Sequence, residues 1–258
     1  MAINISDRFL EANTARQFAL KALIRLEPVR RKLNSVLRAA LPKRARTLTA
    51  PCSVTDAFDA AAAHYQKHRW AFVENVFAAD FHAALARNYP ARRFFQPVAG
   101  LTKSYDRVSI TDRNRDIFTP FPELLALSDY LQTSEFEARV SRVGGQGGFR
   151  SSGHLHLTRS WPGTFMIPHQ DGALENDGIA AHINAIFFVA GSGGDNSGGL
   201  TLARDNELRS VIFEPRNLTN TCLIYDIREP FFHGFYPIAT GKYRHAVIMN
   251  WQLKRTSP

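Results

Sequence analysis

His169 and Asp171 are separated by a single residue, and a further histidine, His233, follows much later in the chain. On an extended segment, residues two apart project from one face, so His169 and Asp171 could bind the same cation. A second strand that brings His233 to this face would complete a set of two imidazoles and one carboxylate. Such a facial set leaves coordination positions open and is typical of non-haem Fe(II) sites that activate O₂.

The His-x-Asp spacing is weak support when taken alone. The chain has nine histidines, so a histidine two residues before an aspartate arises readily by chance. A histidine at the end of an apolar strand is also more often a hydrogen-bonded core residue than a ligand. The surrounding sequence must therefore support the metal interpretation.

The elements that would position these residues change in character along the chain. Helices are predicted at about 53–67, 80–88, 121–131 and 134–143, with a strand at 70–75 and short strands and turns across 92–120. After the GGQGG stretch at 144–148, short β-branched and aromatic runs follow one another, separated by Gly, Pro, Asn and Asp. The pattern predicts an α+β fold, in which N-terminal helices support a C-terminal double-sheet β structure.

Composition restricts the class of protein. A chain of 258 residues with 45% hydrophobic and 21% charged residues is typical of a soluble globular domain. Cys52 and Cys222 provide neither a disulfide framework nor a Cys-based zinc site, which favours a reducing compartment. With no apolar run long enough to cross a bilayer, we expect a cytoplasmic protein, or one peripheral at a membrane.

The net charge of +9 is concentrated in residues 1–50. This leader contains a basic amphipathic helix that begins near Leu26 and ends before Pro42. Three interpretations stay open: a helix packed on the main domain with a solvated basic face, a helix bound to an anionic membrane surface through residues 16–46, or a nucleic-acid contact. We expect residues 1–50 to form the leader and linker, followed by one domain over 51–258.

Four motifs occur in a fixed order over about residues 150–252. These are TRSWPGTFMIPHQDG at 158–172, NSGGLTLA at 196–203, HGFYPI at 233–238, and an Arg-to-Asn-aromatic ending formed by Arg244, Asn250 and Trp251. Together they resemble the prolyl-hydroxylase-like members of the Fe(II)/2-oxoglutarate-dependent oxygenase superfamily. The resemblance implies a double-stranded β-helix, also called a jelly-roll or cupin-like fold, with its core at about 150–252.

The resemblance also implies the roles of individual residues. His169, Asp171 and His233 would bind the iron, and Arg244 would bind the distal carboxylate of 2-oxoglutarate. A planar guanidinium suits a buried carboxylate, and Lys242 is the weaker competitor for this role. A further polar contact to 2-oxoglutarate is left open, and the candidates are Trp161, Thr158, His156 and Asn184.

The implied activity is that of an Fe(II)- and 2-oxoglutarate-dependent dioxygenase that uses O₂, with ascorbate as an assisting reductant. Asp171 favours hydroxylation, because halogenating relatives carry a small residue there. Nucleic-acid demethylases have a second arginine where this chain has Asn250, so no nucleic-acid partner is expected.

The substrate is the least determined feature. We expect a small molecule or a membrane-associated glycan or lipid precursor, and Arg150 and Arg159 are candidates to contact an anionic one. The alternatives are a protein or peptidyl hydroxylase of the prolyl type, and a cupin-like binding module without catalysis. The sequence leaves the oligomeric state open.

Overall fold

The computed structural model describes residues 47–99, 102–170 and 179–254. The predicted leader helix, the predicted membrane-binding segment at 16–46 and Asp171 lie outside these residues. No helix among the described residues has both the length and the apolar character needed to span a membrane.

Three of the four predicted helices agree with the structure to within a few residues, whereas the helix predicted at 53–67 is divided into two short helices that begin at Ala57. The described helices are α1 (Ala57–Ala60), α2 (Ala62–His68), α3 (Ala79–Arg87), α4 (Pro122–Tyr130) and α5 (Ser134–Gly144), together with 3₁₀ turns at Arg92–Phe94 and Asp112–Phe118. Local chemistry determines the ends of α5. The Thr133 hydroxyl accepts a hydrogen bond from the Phe136 amide at 3.2 Å, and Gly145 ends the helix at φ 73°.

Twelve strands are formed by the described residues. They are β1 (Trp70–Glu74), β2 (Gln96–Ala99), β3 (Lys103–Ile110), β4 (Arg150–Ser151), β5 (Leu155–Ser160), β6 (Phe165–His169), β7 (Ile179–Gly191), β8 (Thr201–Ala203), β9 (Val211–Phe213), β10 (Thr221–Asp226), β11 (Phe232–Phe235) and β12 (Arg244–Lys254). The predicted α+β class, with a β-rich C-terminal half supported by N-terminal helices, is confirmed.

The strands pair in the order β1-β10-β7-β12-β5-β3-β6-β11-β8-β9, and every pairing is antiparallel. The sheet curls so that β5, β7, β10 and β12 form one wall and β6, β8 and β11 the opposite wall. Sequence reasoning treated 92–120 as short strands and turns, whereas β3 is an eight-residue strand between β5 and β6. β3 therefore links the two walls.

Side-chain alternation divides the core into two parts. On β7, Ile183, Ala185 and Phe187 join the helices in one apolar cluster, whereas Ile186 and Phe188 face the space between the walls. Because both faces of β7 are covered, its sequence from Ala185 to Val189 is a continuous, buried apolar run. The helices thus support the outer face of the large wall and leave the inner face to form a site.

Candidate functional site

Two of the three predicted metal ligands meet at the edge of the inner space. His169 ends β6 and His233 lies at the start of β11, and the two residues are directly paired across these antiparallel strands. Their ring centroids are 4.4 Å apart. Two imidazoles at this separation can contribute to one coordination sphere.

Gly234 permits this approach of the two strands. A Cβ atom at position 234 would lie 2.7 Å from the Met166 carbonyl oxygen and 2.9 Å from the Pro168 Cα, both of which are backbone atoms. Only a residue without a side chain fits there. The glycine of the HGFYPI motif therefore allows β11 to lie against β6 beside His169.

The hydrogen bond of His169 determines its tautomer. Its Nδ1 lies 2.9 Å from the Ile167 carbonyl oxygen, and a carbonyl can only accept. Nδ1 therefore carries the proton, and the neutral imidazole has its lone pair on Nε2. This is the arrangement found in histidine ligands whose second nitrogen is held by the protein.

Asp171, the third predicted ligand, lies outside the described residues. Among those described, no three His, Cys, Asp or Glu side chains come together as a metal-binding group. The assignment of Asp171 as a ligand stays a prediction, and the described part of the site consists of the two histidines.

A cavity of about 350 Å³ opens beside the histidine pair. Its volume is at the small end of the range for ligand pockets, about 300–1,000 Å³. Apolar residues from both walls form part of its surface. The polar groups that line it, apart from the two histidines, are Lys103, Tyr105, Arg107, His156, Thr158, His182, Asn184, Tyr225 and Asn250.

Arg244 begins β12 on the face that looks into the inner space. Only 3% of the residue is exposed. Its Nη1 donates to the Gly198 carbonyl at 2.5 Å and its Nη2 to the Ser160 hydroxyl at 3.3 Å, while the guanidinium lies 4.6 Å from the ring centre of Phe235. Phe235 lies two residues after His233 on β11, so the guanidinium contacts the strand that carries His233, although Arg244 is not among the residues that line the cavity.

The charge of Arg244 is not balanced by a described carboxylate. Its Nε has no hydrogen-bond partner among the described residues, and it forms no salt bridge with them. Burial lowers the pKa of Arg244 to about 10, while the phenols of Tyr105 and Tyr89 act in the opposite direction. The group is still charged at pH 7, and a buried charge without a counter-ion is costly. Arg244 is thus suited to receive an anionic ligand.

Lys242, the alternative to Arg244, has other contacts. Its Nζ bonds the backbone carbonyls of Asp195, at 2.5 Å, and Gly193, at 3.3 Å. These contacts hold the 193–195 loop. Neither Lys242 nor Arg244 lines the cavity, but Arg244 is buried between the walls whereas Lys242 is only half-buried. The geometry favours Arg244 over Lys242.

Asn184 and Thr158, two of the candidates for a further co-substrate contact, line the cavity. The amide nitrogen of Asn184 donates to the Tyr225 hydroxyl at 2.7 Å, and its Oδ1 has no partner among the described residues. The hydroxyl of Thr158 is directed to the Ala246 carbonyl at 3.4 Å. Of the two side chains, Asn184 has the greater capacity to bind a ligand.

His156, a third candidate, also lines the cavity, whereas Trp161, the fourth, is not brought together with these residues. It lies beyond the end of β5 in a separate cleft, which Arg159 and Tyr243 also line, and the Arg92 guanidinium stacks on its ring at 4.0 Å. Arg150, considered above for an anionic substrate, ion-pairs with Glu137 at 3.1 Å. Neither Arg150 nor Arg159 lines the cavity beside the histidines.

Lys103, Tyr105 and Arg107 are not among the residues predicted from the sequence, yet all three reach the cavity from β3. Their alternate spacing in KSYDRVSI is the pattern of a strand with one face toward a site, and it was the available signal. Tyr225 was also missed, although its strand was predicted. Its ring lies 5.5 Å from that of His233.

Neither the family models nor the curated proteins searched gave a match to this chain. Solved structures do match. A Pseudomonas putida prolyl-4-hydroxylase is 17% identical, with a TM-score of 0.55 over 77% of this chain and 99% of that one. The epimerase SnoN of nogalamycin biosynthesis, in complex with Fe³⁺, α-ketoglutarate and nogalamycin RO, is 14% identical, with a TM-score of 0.55 over 76% and 84% of the two chains.

A third match is the α-ketoglutarate-dependent carbocyclase SnoK of the same biosynthesis, at 12% identity and a TM-score of 0.55 over 75% of this chain and 83% of that one. At these identities the similarity is one of fold. In this chain the histidine pair lies on β6 and β11, Gly234 lies on β11 and Arg244 begins β12. The chain has the double-stranded β-helix, or jelly-roll, fold of the 2-oxoglutarate- and Fe(II)-dependent oxygenases.

Proposed function

We propose that this protein is an Fe(II)- and 2-oxoglutarate-dependent dioxygenase that hydroxylates its substrate. The observation that carries the proposal is the pairing of His169 with His233 beside a buried guanidinium that lacks a described carboxylate partner. The fold it shares with such oxygenases supports the same assignment.

The residues fit the two groups that this activity needs. His169 and His233, with Asp171 as the proposed third ligand, would hold the iron, and Arg244 would hold the distal carboxylate of 2-oxoglutarate. When bound, these groups supply an oxidation of the substrate by O₂ that is coupled to decarboxylation of 2-oxoglutarate to succinate.

The protein's own contribution is orientation and shielding. The Ile167 carbonyl keeps the Nδ1 proton of His169 in place, and Ser160, Gly198 and Phe235 hold the guanidinium of Arg244. Burial of Arg244 strengthens its attraction for a carboxylate, because water does not compete. The walls around the cavity limit the access of water to the reacting groups.

For the substrate we propose a small molecule or a membrane-associated glycan or lipid precursor. The cavity of about 350 Å³ supports a small reacting group, and the membrane alternative depends on the basic residues 16–46. A prolyl-type peptide hydroxylase is the second candidate, favoured by the similarity to the Pseudomonas putida prolyl-4-hydroxylase.

The test is formation of succinate from 2-oxoglutarate by the full chain under air, with and without added Fe(II). We expect slow, iron-dependent turnover even without a substrate. Truncating one partner of a buried charge pair costs about 2–5 kcal/mol, so Arg244→Gln should weaken 2-oxoglutarate binding, measured by calorimetry with Mn(II), by about 30-fold or more.

Lys242→Gln is the matched control and should leave 2-oxoglutarate affinity within about 2-fold of the native value. The 2-oxoglutarate-dependent rise in Tm should likewise persist in Lys242→Gln and vanish in Arg244→Gln. If the native chain neither binds 2-oxoglutarate nor forms succinate, the enzyme assignment is wrong and a non-catalytic binding module is the better description.

A further inference from the structure

The cavity beside the histidine pair has a cationic side that the activity proposed above does not use. Lys103, Tyr105 and Arg107 alternate on β3, so all three project from one face of the strand and line the cavity. Asp106 projects to the opposite face, where it bonds Arg92 at 2.8 Å. None of the described residues that line the cavity is acidic.

Arg107 is held in place by a neutral histidine. Its Nη2 lies 3.2 Å from Nδ1 of His156, and the Ser109 hydroxyl lies 2.6 Å from the same nitrogen. A guanidinium can only donate, so this nitrogen is the acceptor. Burial, followed by the charge of Arg107, lowers the pKa of His156 to about 4, which keeps the imidazole uncharged at pH 7. His156 therefore orients Arg107 without neutralising its charge.

Several other arginines of the described chain have carboxylate partners. Arg92 pairs with Asp106, Arg115 with Asp129, and Arg139 and Arg142 both pair with Asp59. Arg107 forms no salt bridge with a described residue, although it is half-buried in the cavity wall. An oriented, partly desolvated guanidinium of this kind is a binding group for a planar carboxylate or a phosphate.

The one carboxylate that 2-oxoglutarate presents away from the metal is already assigned to Arg244. Arg107 lies in the cavity wall, opposite Thr158 of β5, whereas Arg244 is paired with Ser160 and does not line the cavity. We therefore propose that the primary substrate of this site carries a carboxylate or phosphate group that binds Arg107, an inference that rests on the proposed oxygenase function.

Lys103 has a supporting role. Four residues along a strand separate its Cα from that of Arg107 by about 13 Å, so the two side chains do not have to share one small anion. Its charge adds to the positive potential of the cavity and attracts anionic ligands to it. Arg107 provides the directional contact.

The test measures ligand binding to the full chain with Mn(II), both with and without saturating 2-oxoglutarate. The probes are small carboxylic acids and phosphate monoesters, each paired with its uncharged amide or with the parent alcohol. We expect at least one anionic probe to bind ten-fold or more tightly than its neutral counterpart, and Arg107→Gln to remove that preference. Whether carboxylates or phosphate esters show it identifies the anionic group.

Two variants complete the design. Arg87→Gln, at the exposed end of α3, removes the same charge outside the cavity and should leave the preference intact. Arg107→Lys keeps the positive charge but lacks the planar guanidinium with its parallel N–H donors, and it should retain part of the affinity for the anionic probe. Circular dichroism and the Tm of each variant confirm that it is folded.

The outcomes separate this inference from the proposed function. If Arg107→Gln weakens 2-oxoglutarate binding as strongly as Arg244→Gln does, Arg107 belongs to the co-substrate site and the inference is wrong. If no anionic probe is preferred over its neutral counterpart, it is wrong as well. If 2-oxoglutarate fails to bind but an Arg107-dependent anion preference is measured, the anion site stands and the oxygenase assignment fails.

Discussion

Individual side chains determine what this site can bind. His169 and His233 bring two imidazoles together, and the Nδ1 hydrogen bond of His169 leaves Nε2 as the nitrogen that would bind the proposed metal. Arg244 supplies a buried positive charge, which we propose to bind a carboxylate. His156 is also an imidazole on this cavity, but its Nδ1 is engaged by Arg107 and Ser109. Residue type alone would not distinguish these histidines.

The first prediction separates ligand histidines from the positioning histidine. His169→Ala should weaken Fe(II) binding by more than about 100-fold, because loss of a direct ligand exceeds the 10–100-fold cost of losing a residue that only supports one. We expect the same of Asp171→Ala. Anaerobic titration calorimetry with Fe(II) measures the effect.

His156→Ala is the control for this experiment and should retain Fe(II) affinity within a few-fold. A native-like affinity in His169→Ala would contradict the proposed metal site. An equal loss in His156→Ala would show that the metal is bound elsewhere in the cavity.

At the scale of elements, the site depends on how closely two strands approach. β6 and β11 each carry one histidine, and their backbones pack so tightly at Gly234 that no side chain fits between them. The Gly198 carbonyl, which accepts a hydrogen bond from Arg244, lies in the loop before β8. The site therefore depends on three segments: β6, β11 and this loop.

Gly234→Ala should therefore damage the metal site without changing any proposed ligand. The added methyl would lie 2.7 Å from the Met166 carbonyl oxygen, so β11 must move away from β6 and the histidines must separate. We expect a loss of stability of about 1–3 kcal/mol and a fall in Fe(II) affinity of at least ten-fold, measured by urea unfolding and by calorimetry.

Gly147→Ala is the matched control, because a Cβ atom there meets no atom within 4 Å and the residue is not in a left-handed conformation. It should match the native chain in both measurements. Native Fe(II) affinity in Gly234→Ala would show that the strand approach does not position the histidines.

At the scale of the whole molecule, the helices make the large wall rigid from outside. Trp251 of β12 is fully buried, its ring centre lies 5.5 Å from that of Phe136 on α5, and its Nε1 donates to the Leu131 carbonyl at 3.2 Å. β12 also carries Arg244 on its other face. Helix packing on one side of β12 therefore fixes the position of the strand that carries Arg244 on its other side.

Trp251→Phe should reduce stability without altering the site directly. It removes a buried hydrogen bond, leaves the Leu131 carbonyl without this partner and creates a cavity, so we expect a loss of about 2–4 kcal/mol in the free energy of unfolding. Chemical denaturation measures this loss, and 2-oxoglutarate binding at low temperature should stay close to native. A loss under about 0.5 kcal/mol would contradict the assigned role of Trp251 in joining helices and sheet.

The sequence by itself determined the fold class, and it singled out His169, His233 and Arg244 as candidate site residues. These depend on local order: strand periodicity, Gly and Pro punctuation, and motifs whose residues lie close together in the chain. The predicted helices and strands formed for the same reason, since their apolar patterns already specify which face is buried.

Only the tertiary structure decided what else shares the cavity. Arg107 and Tyr105 reach it because β3 inserts between β5 and β6, and Trp161, just after the end of β5, lies in another cleft. Which strands become neighbours, and in which register, depends on packing between residues far apart in the chain. No local pattern carries that information, because the free energy that selects the pairing comes from burying both walls at once.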